Sequence, residues 1–346
     1  MTVASSPIHR GAKPHYEINP WVLCGVLTGF ALFFGAVSLV VGRSSLTSMP
    51  GLLEIFASDP EIAWLILTEI RIPRTILALT VGATLGLSGA VLQGLLHNPL
   101  AEPGLLGVSS SAALGSVTVF YFGIAGGFSL GVPVGGMAGA LFATGILLLL
   151  GGRAQEPLTL ILAGVAINAL SAALTSLALN FAPSPYAALE IVFWILGSFA
   201  DRSQDHVIFA MPAMILGWLL LLSTARSLDA LTLGEDTAIS LGFNLTSTKI
   251  RAIVGTALAV GAAVAVTGVV SFVGLVVPHL LRPWVGYQPS RLLLPSAICG
   301  ATFMLAADVV VRLLSSEMEL KIGVVTALIG APFFLHLLYV LRRNHP

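Results

Sequence analysis

The sequence predicts an all-α integral membrane fold of about ten transmembrane helices, and three observations predict it. Hydrophobic residues make up 56% of the 346-residue chain and charged residues only 9%, where an ordinary soluble domain carries roughly a quarter charged residues. The mean hydropathy is +0.97. Apolar runs of about 20 residues, the length that crosses a bilayer as a helix, recur along the whole chain.

The runs predict spans near 20–41, 71–94, 105–125, 132–152, 158–182, 206–226, 251–271, 272–288, 292–314 and 322–342. The first follows Arg10 and Lys13. It is too long for a signal-peptide core and lacks a clear cleavage site, so it reads as a retained span. The eighth is short and holds Pro278 and His279. The apolar stretch Tyr186 to Phe199 is too short to span and reads as a helix lying against the bundle surface. The chain, 1–346, is one transmembrane domain in four stretches. They are 20–70 (first span and outer loop), 71–182 (first repeat), 183–248 (surface helix, sixth span and an inner loop) and 249–342 (second repeat).

Orientation follows the positive-inside bias. With both termini in the cytoplasm, Arg10, Lys13, Arg153, Arg226, Lys249, Arg251, Arg291, Arg342 and Arg343 fall inside. The outer loops collect Glu54, Asp59, Glu61, Glu190, Asp205, Glu317 and Glu319. Three arginines break the pattern. Arg71 and Arg74 lie at the outer end of span two and Arg312 at the outer end of span nine, and each needs a partner.

Two regions echo each other. Ser88-Gly89-Ala90-Val91 precedes Pro99 and Gly107, and Thr267-Gly268-Val269-Val270 precedes Pro278 and Gly286 with the same spacings. The two regions cross in opposite directions, because their spans are separated by an odd step along the chain. The pattern reads as an inverted repeat, an arrangement common in transporters.

The inner loop from Leu231 to Lys249 is the longest connection on its side. Glu235 and Asp236 suit the first turn of a short helix, where the helix dipole favours anions. Gly242 suits the left-handed residue that ends it. Thr246 suits the start of a second helix. Ala238, Ile239 and Leu241 give the loop an apolar side. A P-loop requires Gly-Lys before Ser or Thr. The lysines are Lys13, Lys249 and Lys321, and none follows a glycine. Cys24 and Cys299 lie in apolar runs and read as small buried hydrophobes. His97, His206, His279 and His336 show no metal-ligand spacing. A net charge of zero gives no sign of a nucleic-acid partner.

From Arg71 to Gly107 the chain reads RIPRTILALTVGATLGLSGAVLQGLLHNPLAEPGLLG, and NPLAEPGLLGVSSSAAL runs from Asn98 to Leu114. This wording resembles the permease family of type II ABC importers, which carry vitamin B12, haem and iron–siderophore complexes. The resemblance runs from span two onward and implies that spans two to five and seven to ten are the two halves of the inverted repeat. It implies a homodimer with the pathway between the copies, two ABC ATPase subunits below and an extracytoplasmic (periplasmic) substrate-binding protein above. It implies no cofactor in this chain, with ATP and Mg bound by the ATPase, and a place in the bacterial cytoplasmic (inner) membrane. It implies transport of a bulky metal chelate and no covalent chemistry.

The same resemblance assigns site residues. LGEDTAISLGF is similar to the coupling helices of these permeases, so Leu233, Gly234, Glu235, Ala238, Leu241 and Gly242 form the ATPase docking surface. Arg71, Arg74 and Arg312, in RIPRT and ADVVVR, would receive carboxylates of the binding protein, for which a planar guanidinium fork is suited. Against this stands a structural reading, in which Arg312 pairs with Asp308 four residues earlier and Arg71 with Glu69. The cytoplasmic gate would be Asn98, Leu100, Pro157 and Leu158. The second pair departs from the small hydroxyl residues expected there, and Lys321 departs from an expected proline.

Two other classes compete. An ion-coupled secondary transporter also uses inverted repeats, but needs a midplane carboxylate or helix break. Asp308 is the only acid well inside a span, and Arg312 can neutralise it. An intramembrane enzyme needs a convergent nucleophile, acid pair or metal cluster, and the sequence offers none.

Overall fold

The computed structural model describes residues 18–41, 56, 59–123, 130–152, 156–314 and 320–344. The expectations for Arg10, Lys13, Glu54, Arg153, Glu317 and Glu319 lie outside the described residues, as do the side chains of Arg342 and Arg343. Among the described residues the fold is all helical, with no strand.

Helix α1, Pro20–Val40, starts where the Asn19 side chain accepts the Trp21 N–H and Pro20 occupies the first turn, a position that has no helical hydrogen bond to lose. Helix α2, Pro60–Ile66, is capped by Asp59. It continues through a π turn, Leu67–Arg71, into α3, Ile72–Leu95. The second span therefore begins at Pro60 rather than near 71. Glu69 and Arg71 mark a polar helix turn, and not the helix start.

The third span is also corrected. Instead of 105–125, a 3-10 helix, Pro103–Leu106, ends at Gly107 (φ 74°), and α4 covers only Val108–Tyr121. Then come α5, Gly131–Gly151, and α6, Pro157–Asn180. The surface helix α7 is Pro185–Ile195, capped by Ser184. Helix α8 is Gln204–Leu222, followed by the short α9, Ala225–Leu231, and α10, Glu235–Ser240.

Helix α11, Leu245–Thr267, joins the helix expected to start at Thr246 and the span expected from 251 into one, and the Asn244 side chain rather than Thr246 caps it. It stops at Gly268, whose φ is 75°. The eighth span shrinks to α12, Val273–Leu281, followed by a 3-10 helix, Arg282–Val285. Helices α13, Pro289–Leu314, and α14, Ile322–Asn344, complete the chain.

Among the described residues, seven helices are long and apolar enough to cross a membrane. With the shorter apolar segments Val108–Tyr121, Val273–Val285 and Ile322–Leu337 they make up the ten spans. The two halves repeat one order: long α3, short α4, long α5 and α6; then long α11, short α12, long α13 and α14. Five steps along the spans separate α3 from α11, so the halves run in opposite senses. Gly89 and Gly268 are not equivalent within this repeat. Gly89 lies inside α3, while Gly268 ends α11. The matched spacing instead marks two similar turns, each a 3-10 helix closed by a left-handed glycine, Gly107 or Gly286.

Helices α3 and α11 form the centre. In each, 78% of the apolar window is buried, against 22% for α1. Helix α3 comes close to its neighbours along a row of glycines. A Cβ on Gly82 would stand 2.3 Å from the Gly300 oxygen, and one on Gly86 2.1 Å from the Ser296 oxygen, both on α13. A Cβ on Gly89 would stand 1.9 Å from the Gly274 oxygen of α12. Small residues permit this approach, and dispersion over the shared surface holds it. Gly86→Val should therefore push α3 off α13. Overpacking costs about 1–3 kcal/mol where side chains can give, and here backbone must move. We expect a sharp loss of monodisperse protein in detergent and a lower melting temperature for what remains.

Candidate functional site

At one end of the bundle three arginines converge. Arg74 grips Asp308 with two nitrogens: Nε lies 3.0 Å from Oδ1 and Nη2 2.8 Å from Oδ1. Arg312 holds the other oxygen, Nη2 to Oδ2, at 2.7 Å. One carboxylate, completely buried, thus ties α3 to α13.

Arg71 and Arg312 also reach the last carbonyls of α1. Arg71 donates to Leu39 at 2.8 Å and to Val40. Arg312 donates to the Ser38 carbonyl at 2.7 Å, to the Val41 carbonyl at 2.9 Å and to the Ser38 hydroxyl. The Ser38 and Thr75 hydroxyls lie 2.7 Å apart. A helix C-terminus presents unpaired carbonyls and the negative end of its dipole, and cations suit both. The Asp308–Arg312 pair at four-residue spacing is present as the structural reading expected. Arg71 binds the α1 carbonyls rather than Glu69. Arg71 and Arg312 are each only 6% exposed.

The opposite end carries the loop expected to form a short helix. Helix α10 opens with Glu235 and Asp236 in its first turn, and Gly242, at φ 86°, follows its end. Leu233, Ile239 and Leu241 are exposed at 64%, 58% and 60%. Ala238 faces inward and is fully buried. Glu235 pairs with Lys249 at 3.0 Å. Ile239, Gly242, Phe243, Asn244, Leu245 and Thr246 line an open cavity of about 420 Å³ beside the helix. The site is therefore an apolar knob next to a socket.

Asn98 and Leu100 sit in the turn after α3. The Asn98 side chain accepts the Leu100 N–H at 2.9 Å, and its carbonyl accepts the Ala101 N–H at 3.1 Å. Pro157 and Leu158 form the first turn of α6, and Leu158 is 66% exposed. The two pairs stand on separate segments of the chain.

A crevice of about 480 Å³ opens between the first repeat and the break that follows α11, and its lining includes Glu102, Ser109, Asn168, Thr175, Ser271 and Phe272. Glu102 accepts the Phe272 N–H at 3.2 Å. It belongs to the connection between α3 and α4. Burial pushes its carboxyl above the ordinary value, and the hydrogen bond from Phe272 pulls the other way. Lys321, at the start of α14, lies 6.0 Å above the Phe193 ring of α7.

Several contacts had no sequence signal. Arg74 and Asp308 are 234 residues apart, Gln93 and Arg282 189 (2.6 Å between Oε1 and Nη2), and Glu102 and Phe272 170. His97 donates from Nε2 to the Leu231 carbonyl at 3.1 Å. Asp229 accepts the Ser290 N–H at 2.8 Å and so caps α13. Only Arg74 and Asp308 were both conspicuous by charge inside apolar surroundings, and their pairing was not.

Among the described residues, long and short apolar helices in two opposed halves define a multi-pass membrane protein. Comparison with known proteins specifies it further. The profile of the FecCD transport family matches residues 30–342. The chain is 38% identical over 338 residues to an uncharacterized ABC transporter permease protein, YvrB, of Bacillus subtilis, covering 92% of this chain and 93% of that one. It is 40% identical over 316 residues to the vitamin B12 import system permease protein BtuC of Salmonella typhimurium, covering 87% of this chain and 95% of that one. A solved structure of a proposed metal-chelate type ABC transporter, in an inward-facing conformation, superposes with a TM-score of 0.81 at 35% identity. It covers 93% of this chain and 99% of that one. The chain belongs to the FecCD transport family.

Asp308 is the group on which the arginine cluster turns. Removing one partner from a buried ion pair costs about 3–5 kcal/mol, because the other charge is left buried. Asp308→Ala should lower the melting temperature in detergent strongly. Arg71→Ala, which removes only carbonyl contacts to α1, should lower it less. The reverse order would show that the α1 clamp, and not the α3–α13 tie, carries the stability.

Proposed function

We propose that this chain is the permease of an ATP-driven importer for a bulky metal chelate: haem, an iron–siderophore complex or cobalamin. Two copies pair about a two-fold axis with the pathway between them. Two ABC ATPase subunits bind below and supply the energy, with nucleotide and Mg²⁺ on their side. An extracytoplasmic binding protein delivers the cargo above. The chain lies in the bacterial cytoplasmic membrane with both termini inside. Its own work is to shift a conformational equilibrium by making different contacts in different states.

The observation that carries the reading is α10, an apolar knob left exposed beside an open socket in a chain that lacks a P-loop lysine. Leu233, Gly234, Glu235, Ala238, Leu241 and Gly242 would seat in the ATPase. Asn98 and Leu100, with Pro157 and Leu158, would close the cytoplasmic side of the pathway. The relatives include a vitamin B12 permease and a neighbour of metal-chelate type, and both point to the same cargo class.

The test is reconstitution with the cognate ATPase, asking which of haem, iron–siderophore and cobalamin stimulates hydrolysis. Gly242→Val serves as the negative partner. Gly242 has φ 86° and nothing within 4 Å of its Cβ position. A β-branched residue there meets backbone strain alone, since only glycine takes that conformation freely. We expect the ATPase to detach, or its stimulation by cargo to vanish. Normal co-purification with normal stimulation would refute the docking role of α10.

The arginine end is the proposed docking face for the binding protein. Asp308 carries one negative charge against three guanidinium groups, and the resulting field would steer acidic lobes toward the mouth. Arg71→Gln separates field from fold, because a glutamine amide can still donate to the α1 carbonyls. The association rate should fall several-fold at low salt and converge with wild type at high salt. A low-salt rate equal to wild type would remove Arg71 from docking.

A further inference from the structure

The six residues from His97 to Glu102 are tied down at both ends to different elements of the fold. His97 has φ 48°, in the left-handed region, and its Nε2 lies 3.1 Å from the Leu231 carbonyl. A carbonyl only accepts, so His97 is the donor, and its Nε2 carries the proton. Leu231 is the last residue of α9, three residues before Gly234 and the start of α10.

Helix α9 is a firm platform. Leu228 packs where a Gly94 side chain would begin, with its nearest carbon 3.5 Å away. Asp229 holds the first turn of α13 through the Ser290 N–H and the Gln288 amide, at 2.8 and 3.0 Å. The Leu228, Ala230 and Leu231 side chains are buried.

At the other end, Glu102 accepts the N–H of Phe272 at 3.2 Å. Phe272 (φ 69°) begins α12 and closes the break that follows α11. Its ring lies against Gly330 of α14, where a Cβ would stand 2.4 Å from the ring carbon Cγ. The contact therefore joins the first repeat to the broken helix of the second. Asn98 and Leu100 stand between the two anchors.

We propose that His97–Glu102 is a lever with two anchors, in which His97 takes up movement of the α9–α10 platform and Glu102 relays it to the break before α12, so that the turn carrying Asn98 and Leu100 moves with both. His97 and Glu102 are positioning residues: neither need touch cargo. The lever rests on the reading of α10 as the ATPase contact and of the Asn98 turn as the gate, and adds the route between them.

The test uses the full complex with its ATPase, carrying a spin label on Leu100→Cys. Label mobility is compared in the nucleotide-free and the ATP/vanadate-trapped states, alongside the hydrolysis rate. His97→Gly keeps the left-handed backbone and deletes the donor, while His97→Gln restores a donor. Glu102→Ala deletes the acceptor, while Glu102→Gln keeps an amide oxygen for the Phe272 N–H.

We expect the nucleotide-dependent change at the label to shrink about three- to tenfold in His97→Gly and Glu102→Ala, the weight of one net hydrogen bond in an equilibrium. Hydrolysis should persist, and both glutamine variants should recover the change. A merely structural role would lower assembly and hydrolysis together and leave the label response of the assembled fraction intact. That outcome overturns the lever, as does a label that responds equally in all variants or not at all in wild type. If Glu102→Ala does not purify, the His97 pair decides alone. Failure of the underlying reading has a separate mark: wild-type chain that does not retain the ATPase, which removes the lever with it.

Discussion

The close approach of α3 to α13 and α12 is the constraint on which the rest of the structure depends. The row Gly82, Gly86 and Gly89 brings backbone against backbone, with no side chain to absorb a misfit. That contact fixes where both ends of α3 lie. At one end Arg74 falls within reach of Asp308, and at the other His97 falls within reach of Leu231. Thr84, on the same helix, meets the Trp218 indole N–H at 2.8 Å and so places α8 as well. In a lipid surrounding, apolar side chains gain little by turning inward, so close packing and buried hydrogen bonds must provide the specificity. The central helix uses both.

The sequence made the large features legible because they are local. Apolar runs revealed the long spans, and Gly242 revealed the end of α10 because a left-handed residue leaves a compositional trace. The lengths of α4 and α12 were less legible. Both short helices sit in apolar surroundings with no change in composition where helix gives way to turn. Helix α4 starts at Gly107, which resembles the many other glycines of the chain, and α12 starts at Phe272, whose left-handed backbone leaves no trace in composition. Gly89 and Gly268 show the converse problem. Their flanking sequence matched, yet one is a packing residue and the other ends a helix.

The candidate site divides in the same way. The arginines stood out by charge, and the four-residue step from Asp308 to Arg312 is a helical neighbour relation readable from the sequence. The partners of Arg71 are main-chain carbonyls at the end of α1, which carry no residue identity to read. Glu102 was visible only as part of a Pro-flanked turn. Its partner, the Phe272 N–H, became available only because α11 breaks and α12 restarts there. Contacts of this kind are set by tertiary structure, so no windowed reading of one chain finds them.

The fastening of α1 bears on how the chain is made. Helix α1 leaves the ribosome well before α13, and the α2–α3 segment made soon after it offers one polar clasp, Arg71 on its last carbonyls and the Thr75 hydroxyl on Ser38. Its Leu27 carbonyl accepts from Thr302, its last turn is gripped by Arg312, and both partners belong to α13. During synthesis that second half of its fastening is missing until some 250 further residues have been inserted. A segment inserted early is thus fully seated late, and a chain truncated before α13 would leave it half-fastened for cellular quality control to find.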